Sequence, residues 1–119
     1  MALSTAAITS EDDFSPLFEG DTLIPFAPQF WQWNGTANTF EELNISNYTL
    51  GMKMTDGTTV KTCAGTWSKT DAAHGIASYQ WQSADVDTAG TWQLNITLTD
   101  GSGHVGHTEP KTLEIKGAP

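Results

Sequence analysis

The stretch Ser83–Leu94, SADVDTAGTWQL, sets two aspartates, a glycine and a tryptophan between two runs with strand character. Asp85, Asp87 and Gly90 follow the D-x-D-x-x-G opening of a calcium loop. Calcium needs six to eight oxygen ligands, usually closed by a bidentate acid further along. Here Thr91, Trp92 and Gln93 follow, and the next acid is Asp100. A pair of carboxylates could also serve a hydrolase, but no second acidic cluster is placed to oppose Asp85 and Asp87. A structural reading accounts for every residue. Aspartate caps a turn, Gly90 permits a tight backbone, and Trp92 packs over the corner. Asp85, Asp87, Gly90 and Trp92 are therefore expected to form a structural corner.

The remaining reactive side chains are sparse. His104 and His107 share the glycine-rich loop GSGHVGH, His74 lies far away in sequence, and Cys63 is the one cysteine. Two histidines three apart could begin a zinc site, but the spacing matches no structural zinc module. Ser78 and Ser102 lie in no nucleophile-elbow context. A single cysteine makes no internal disulfide. The sequence thus carries no enzyme signature and implies no catalytic residue, metal or cofactor.

The 119 residues suit one domain able to bury its own core. The formal net charge is −9, with five cationic residues in all, every one a lysine. Nucleic-acid backbones and anionic membrane surfaces need clustered cations, so neither is an expected partner. The start MALSTAAITSEDDF lacks a basic region and an apolar core, so no signal peptide is expected. Asn-x-Ser/Thr triplets begin at Asn34, Asn44, Asn47 and Asn95. Without a secretory leader they read as products of an Asn- and Thr-rich β composition.

The elements that must hold the corner read as strands. DTLIPFAPQFWQW is expected as a broken edge strand, with Ile24, Phe26 and Phe30 on one parity, Trp31 and Trp33 on the other, and a bend near Pro28. NYTLGMKM alternates strictly, with Tyr48, Leu50, Met52 and Met54 in phase. Asp56-Gly57 then turns into TVKTCAGTW as its partner strand. GIASYQW puts Ala77, Tyr79 and Trp81 in phase, and TWQLNITL does the same for Trp92, Leu94, Ile96 and Leu98. Asp100-Gly101 opens another turn, and KTLEIK points Leu113 and Ile115 inward. About seven alternating strands without a helical period predict an all-β, immunoglobulin-like antiparallel β-sandwich over residues 19–119. Sandwiches of that type carry an Asp-x-Gly-x-Tyr corner entering the penultimate strand, and DTAGTWQL reads as a variant with Trp92 in the tyrosine position.

Residues 1–18 differ from the rest. Acidic Glu11, Asp12 and Asp13 stand among Phe14, Leu17 and Phe18 without a clean period, which predicts an extended N-terminal arm or plain terminal disorder. Phe14, Leu17 and Phe18 would bury on a partner. Trp31 and Trp33 are the expected exposed aromatics, either at a protein interface or as a sugar platform. Partial burial in a small sandwich is the alternative for both.

GDTLIPF, TDAAHGIASYQWQSADVDTAGTWQLNITLTDG and KTLEIK together resemble an immunoglobulin-like domain of tailed bacteriophages, best known as the N-terminal domain of the baseplate upper protein. Tyr79, Trp81, Asp85, Asp87, Gly90 and Trp92 carry the resemblance, which covers about residues 19–116. It implies a non-enzymatic virion structural protein, made in the host bacterial cytoplasm, with capsid, tail or baseplate proteins as partners and homo-oligomers possible. Because that domain usually begins a longer chain, a copy of this length is expected as an accessory or decoration protein. A baseplate or tail assembly component and a carbohydrate-binding sandwich module are the alternatives.

Overall fold

The computed structural model describes residues 8–11 and 17–118. Among them are eleven strands and a single 3₁₀ turn, Ala72–His74. They build two stacked sheets, and every strand pair is antiparallel except one.

The first sheet runs β1 (Ile8–Glu11), β3 (Gln29–Asn34), β8 (Ile76–Tyr79) and β7 (Trp67–Asp71), with β4 (Thr39–Glu42) also paired to β3. The second runs β2 (Leu17–Phe18), β11 (Lys111–Lys116), β9 (Gly90–Thr99), β5 (Thr49–Thr55) and β6 (Val60–Cys63), with β10 (Val105–His107) beside the far half of β9.

β9 organises the second sheet. It pairs with β5 from Thr99 opposite Thr49 to Gln93 opposite Thr55, and with β11 from Leu94 to Gly90. Period-two alternation drives Trp92, Leu94, Ile96 and Leu98 inward, and all four are buried. Met52 and Met54 of β5 and Leu113 and Ile115 of β11 join them, facing Phe30, Ala77 and Tyr79 of the other sheet. Full burial of each large apolar side chain contributes roughly 1.5–3 kcal/mol. Leu50 and Tyr48 sit at the margin, half-buried against this core.

The hairpin turns follow the local chemistry. Asp56 Oδ1 accepts from the backbone N–H of Thr58 and Thr59 at the β5–β6 turn. Asp100 Oδ1 accepts from Ser102 and His104 at the β9–β10 turn.

Several expectations are corrected. The strand count is eleven rather than about seven, because short strands of two to four residues fill the sheet margins. TVKTCAGTW is not one strand. It divides into β6 in one sheet and β7 in the other, and the crossing needs Gly65, where a Cβ would lie 2.5 Å from the Gln80 carbonyl oxygen. The proline-bearing segment does not form a sheet edge. Only Gln29–Asn34 is strand, and β3 is flanked by β1 on one side and by β4 and β8 on the other. Pro25 and Pro28 precede it, where a missing N–H removes no ladder bond. Phe26 and Phe30 are buried as the parity suggests, but Ile24 is 70% exposed, since the chain ahead of Phe26 runs outside the ladder. Trp31 and Trp33 are half-buried instead of exposed, because β1 and β4 cover both flanks of β3.

The expected arm supplies strands to both sheets. β1 pairs with β3, and β2 pairs in parallel with β11, Leu17 opposite Ile115. Ile8 bridges across to Thr108 and packs with Leu17 against the core.

Candidate functional site

The corner is built around Asp85, a carboxylate only 2% exposed. The turn that carries it closes through Asp85 N–H to the Gln82 carbonyl (2.9 Å) and Val86 N–H to Ser83 (3.3 Å). Its Oδ2 accepts from the Gln82 backbone N–H at 2.9 Å and from the Tyr79 hydroxyl at 2.6 Å. The Tyr79 oxygen in turn accepts the Gly65 N–H at 2.8 Å. One buried chain of hydrogen bonds therefore ties the sheet-crossing segment, β8 and the corner together. A buried charge is tolerable only when its lone pairs are met in this way.

The neighbours feel that charge. Burial, and then the bond to Asp85, pushes the Tyr79 phenol well above its ordinary value. Burial, followed by the Asp85 charge, pushes the Cys63 thiol up to about 12. A thiol so far from ionising is a packing group and a poor nucleophile.

Asp87 has a different environment. It faces outward, is 57% exposed in its side chain, and pairs with Lys61 Nζ and the Thr88 hydroxyl. The Lys61 partner, and then Thr88, hold its carboxyl below the ordinary carboxylate range. Lys61 also donates to the Ala84 carbonyl at 3.0 Å and lies 4.9 Å from the centre of the Trp92 ring. The cation thus clamps the corner from the side of β6, through an ion pair and a cation–π contact.

Trp92 lies beside the turn at the start of β9. It is 1% exposed, and its Nε1–H donates to the Thr88 carbonyl, four residues upstream, at 3.1 Å. Gly90 has φ +145°, a conformation that side-chain-bearing residues seldom adopt, although a Cβ there would have room, its nearest neighbour being 3.7 Å away. Glu19 ties the corner to both chain ends, accepting from Ala89 N–H at 3.3 Å and Ala118 N–H at 3.1 Å.

Asp85 and Asp87 thus do not converge on a common point. One is enclosed and occupied by Tyr79 and Gln82, and the other is held outside by Lys61. Among the described residues, no three His, Cys, Asp or Glu side chains stand together as a metal site. His74 pairs with Asp71 at 2.9 Å where β7 runs into the 3₁₀ turn, and His104 with Asp100 at 3.2 Å across the β9–β10 turn.

The expected partner surface divides. Phe14 lies outside the described residues. Leu17 is half-buried against the core, and Phe18 is 41% exposed. Trp33 packs edge-on to Phe40, with ring centres 5.1 Å apart at 70°, and the indole nitrogens of Trp31 and Trp33 are enclosed. Among the described residues the most exposed large apolar ones are instead Leu23 at 88% and Ile24 at 70%. The sequence reading grouped Ile24 by parity with Phe26 and Phe30 and passed over Leu23.

Sequence reasoning also passed over the Tyr79–Asp85 bond and the Lys61 clamp. The first had a signal, because a tyrosine in core phase must find a partner for its hydroxyl. The second joins residues 26 positions apart and leaves no local trace.

No family model, curated protein or solved structure matches the chain.

Proposed function

We propose that this chain is a non-enzymatic structural protein of a tailed-bacteriophage particle, an accessory or decoration protein that binds capsid or tail proteins. One observation carries the binding part. Phe18, Leu23 and Ile24 expose apolar side chains within seven residues, on a sandwich whose other large apolar side chains are mostly enclosed. Large apolar side chains exposed this close together along the chain support an interaction surface here. The bacteriophage part rests on the resemblance of GDTLIPF, the Tyr79–Trp92 progression and KTLEIK to the phage immunoglobulin-like domain. The corner supports a binding role over catalysis, since Asp85, Tyr79, Asp87 and Lys61 are all engaged in holding the fold.

The test uses virions purified without this chain. The native protein is expected to co-sediment with them, and a Leu23→Asp/Ile24→Asp double variant to stay in the supernatant with an unchanged circular dichroism spectrum. Equal sedimentation of both would remove this surface from the interface. Failure of the native protein to bind any virion, joined with selective binding on a glycan array, would move the reading to a carbohydrate-binding module.

A further inference from the structure

The β3–β4 hairpin turns through Asn34-Gly35-Thr36-Ala37-Asn38, and Asn34 opens one of the triplets set aside as a glycosylation signal. Its amide is held at both ends. Oδ1 accepts from the backbone N–H of Thr36 at 2.9 Å and of Ala37 at 3.1 Å, while Nδ2 donates to Glu41 Oε1 at 2.9 Å. Gly35, next in the chain, is exposed, and the nearest atom to a Cβ built on it would be Trp33 Nε1 at 3.8 Å. Gly35 itself bears no side chain to crowd the ring that its backbone nitrogen would close on Asn34.

We propose that Asn34-Gly35 is a self-modifying site, at which Asn34 converts to aspartate or isoaspartate and so loosens the β3–β4 hairpin. The Gly35 backbone nitrogen gives up its proton to solvent base and attacks Cγ of Asn34. The Cγ–Nδ2 bond breaks, and the amide nitrogen takes one proton from water and leaves as ammonia. Water then opens the cyclic imide at either carbonyl, so the net change is one water consumed and one ammonia released. Negative charge develops on Oδ1 during the attack, and the N–H groups of Thr36 and Ala37 already point at that oxygen, as donors do in an oxyanion hole.

The product disturbs what Asn34 held. An amide that donated to Glu41 becomes a carboxylate facing Glu41, and like charges across a strand pair destabilise it. The isoaspartate form also adds a methylene to the main chain inside the turn closed by Asn38 N–H to the Asn34 carbonyl at 2.8 Å. Trp33 and Phe40, opposite each other in register, are the next contact along the hairpin.

The full chain is incubated in mildly alkaline buffer, and each asparagine is followed by peptide mass spectrometry. Asn34 is expected to convert at least about tenfold faster than Asn38, Asn44, Asn47 or Asn95, a barrier difference of about 1.4 kcal/mol. Gly35→Ala, which has room to fold, should bring Asn34 down to the rate of the others. Asn34 converting no faster than the other four, or unchanged by Gly35→Ala, would overturn the site. The consequence is read separately. Asn34→Asp should lower the melting temperature, and adding Glu41→Gln should recover most of the loss. An Asn34→Asp variant as stable as the native chain would overturn the loosening.

Discussion

Tyr79→Phe removes the hydroxyl from the centre of the corner and leaves the Asp85 carboxylate and the Gly65 N–H each short of a partner. Leaving a buried group unsatisfied costs about 1–3 kcal/mol, more when it is charged, so the variant is expected at or above the upper end of that range in urea unfolding. A surface substitution away from such features stays within about 0.5 kcal/mol. At the other end of the first sheet, His74 is a residue-scale test of electrostatics. Its bond to Asp71, then the charges of Asp71 and Glu42, raise its pKa above 6.5. A raised histidine value means that the pair's contribution to stability is complete below 6.5 and fades as the pH climbs through the higher, folded-state value. An NMR titration should therefore place the His74 midpoint in the folded chain above its own midpoint in a denatured control, and Asp71→Asn should lower it.

Elements were legible where one face is dry and one wet. β5, β9 and β11 follow their alternation residue by residue, and Leu94→Ala or Ile96→Ala is expected to cost roughly 2–5 kcal/mol. Asn95→Ala, on the opposite face of β9, should stay within about 0.5 kcal/mol. Comparable losses at Asn95 and Leu94 would contradict the observed burial. The elements that were not legible failed for stateable reasons. β6 and β7 read as one run because Val60–Trp67 is continuously strand-like, and only the close approach of Gly65 to the Gln80 carbonyl divides it. β4 and β10 are too short for alternation to emerge from three or four residues. Ile24 shares the parity of Phe26 and Phe30 but not their burial, because no ladder extends back through Pro25 to enforce it. The corner itself was legible as a turn, from Asp85, Gly90 and Trp92. The tertiary pairs that lock it, Tyr79 with Asp85 and Lys61 with Asp87, depend on which strands become neighbours.

At the scale of the molecule, β1 and β2 within the N-terminal eighteen residues belong to the sandwich as much as to any partner surface. Their deletion strips β1 from β3 and β2 from β11, and removes Ile8 and Leu17 from the core margin. Full burial of a large apolar side chain is worth roughly 1.5–3 kcal/mol and these two are partly buried, so a loss on the order of 2–4 kcal/mol is expected. The truncated chain should still show a β spectrum but unfold at lower urea, and an unchanged midpoint would show that β1 and β2 contribute nothing to stability. The pairing of β2 with β11 has a mechanical meaning as well. The two strands run parallel, side by side, close to opposite ends of the described chain, with Glu19 N–H bonded to the Lys116 carbonyl at 2.8 Å just beyond the ladder. Pulling the ends apart would first peel β1 from β3 and then draw β2 and β11 in opposite directions along their shared length. Their hydrogen bonds would bear that load together, in shear, rather than opening one at a time like a zip, so the sandwich meets tension along its own chain at its most resistant orientation.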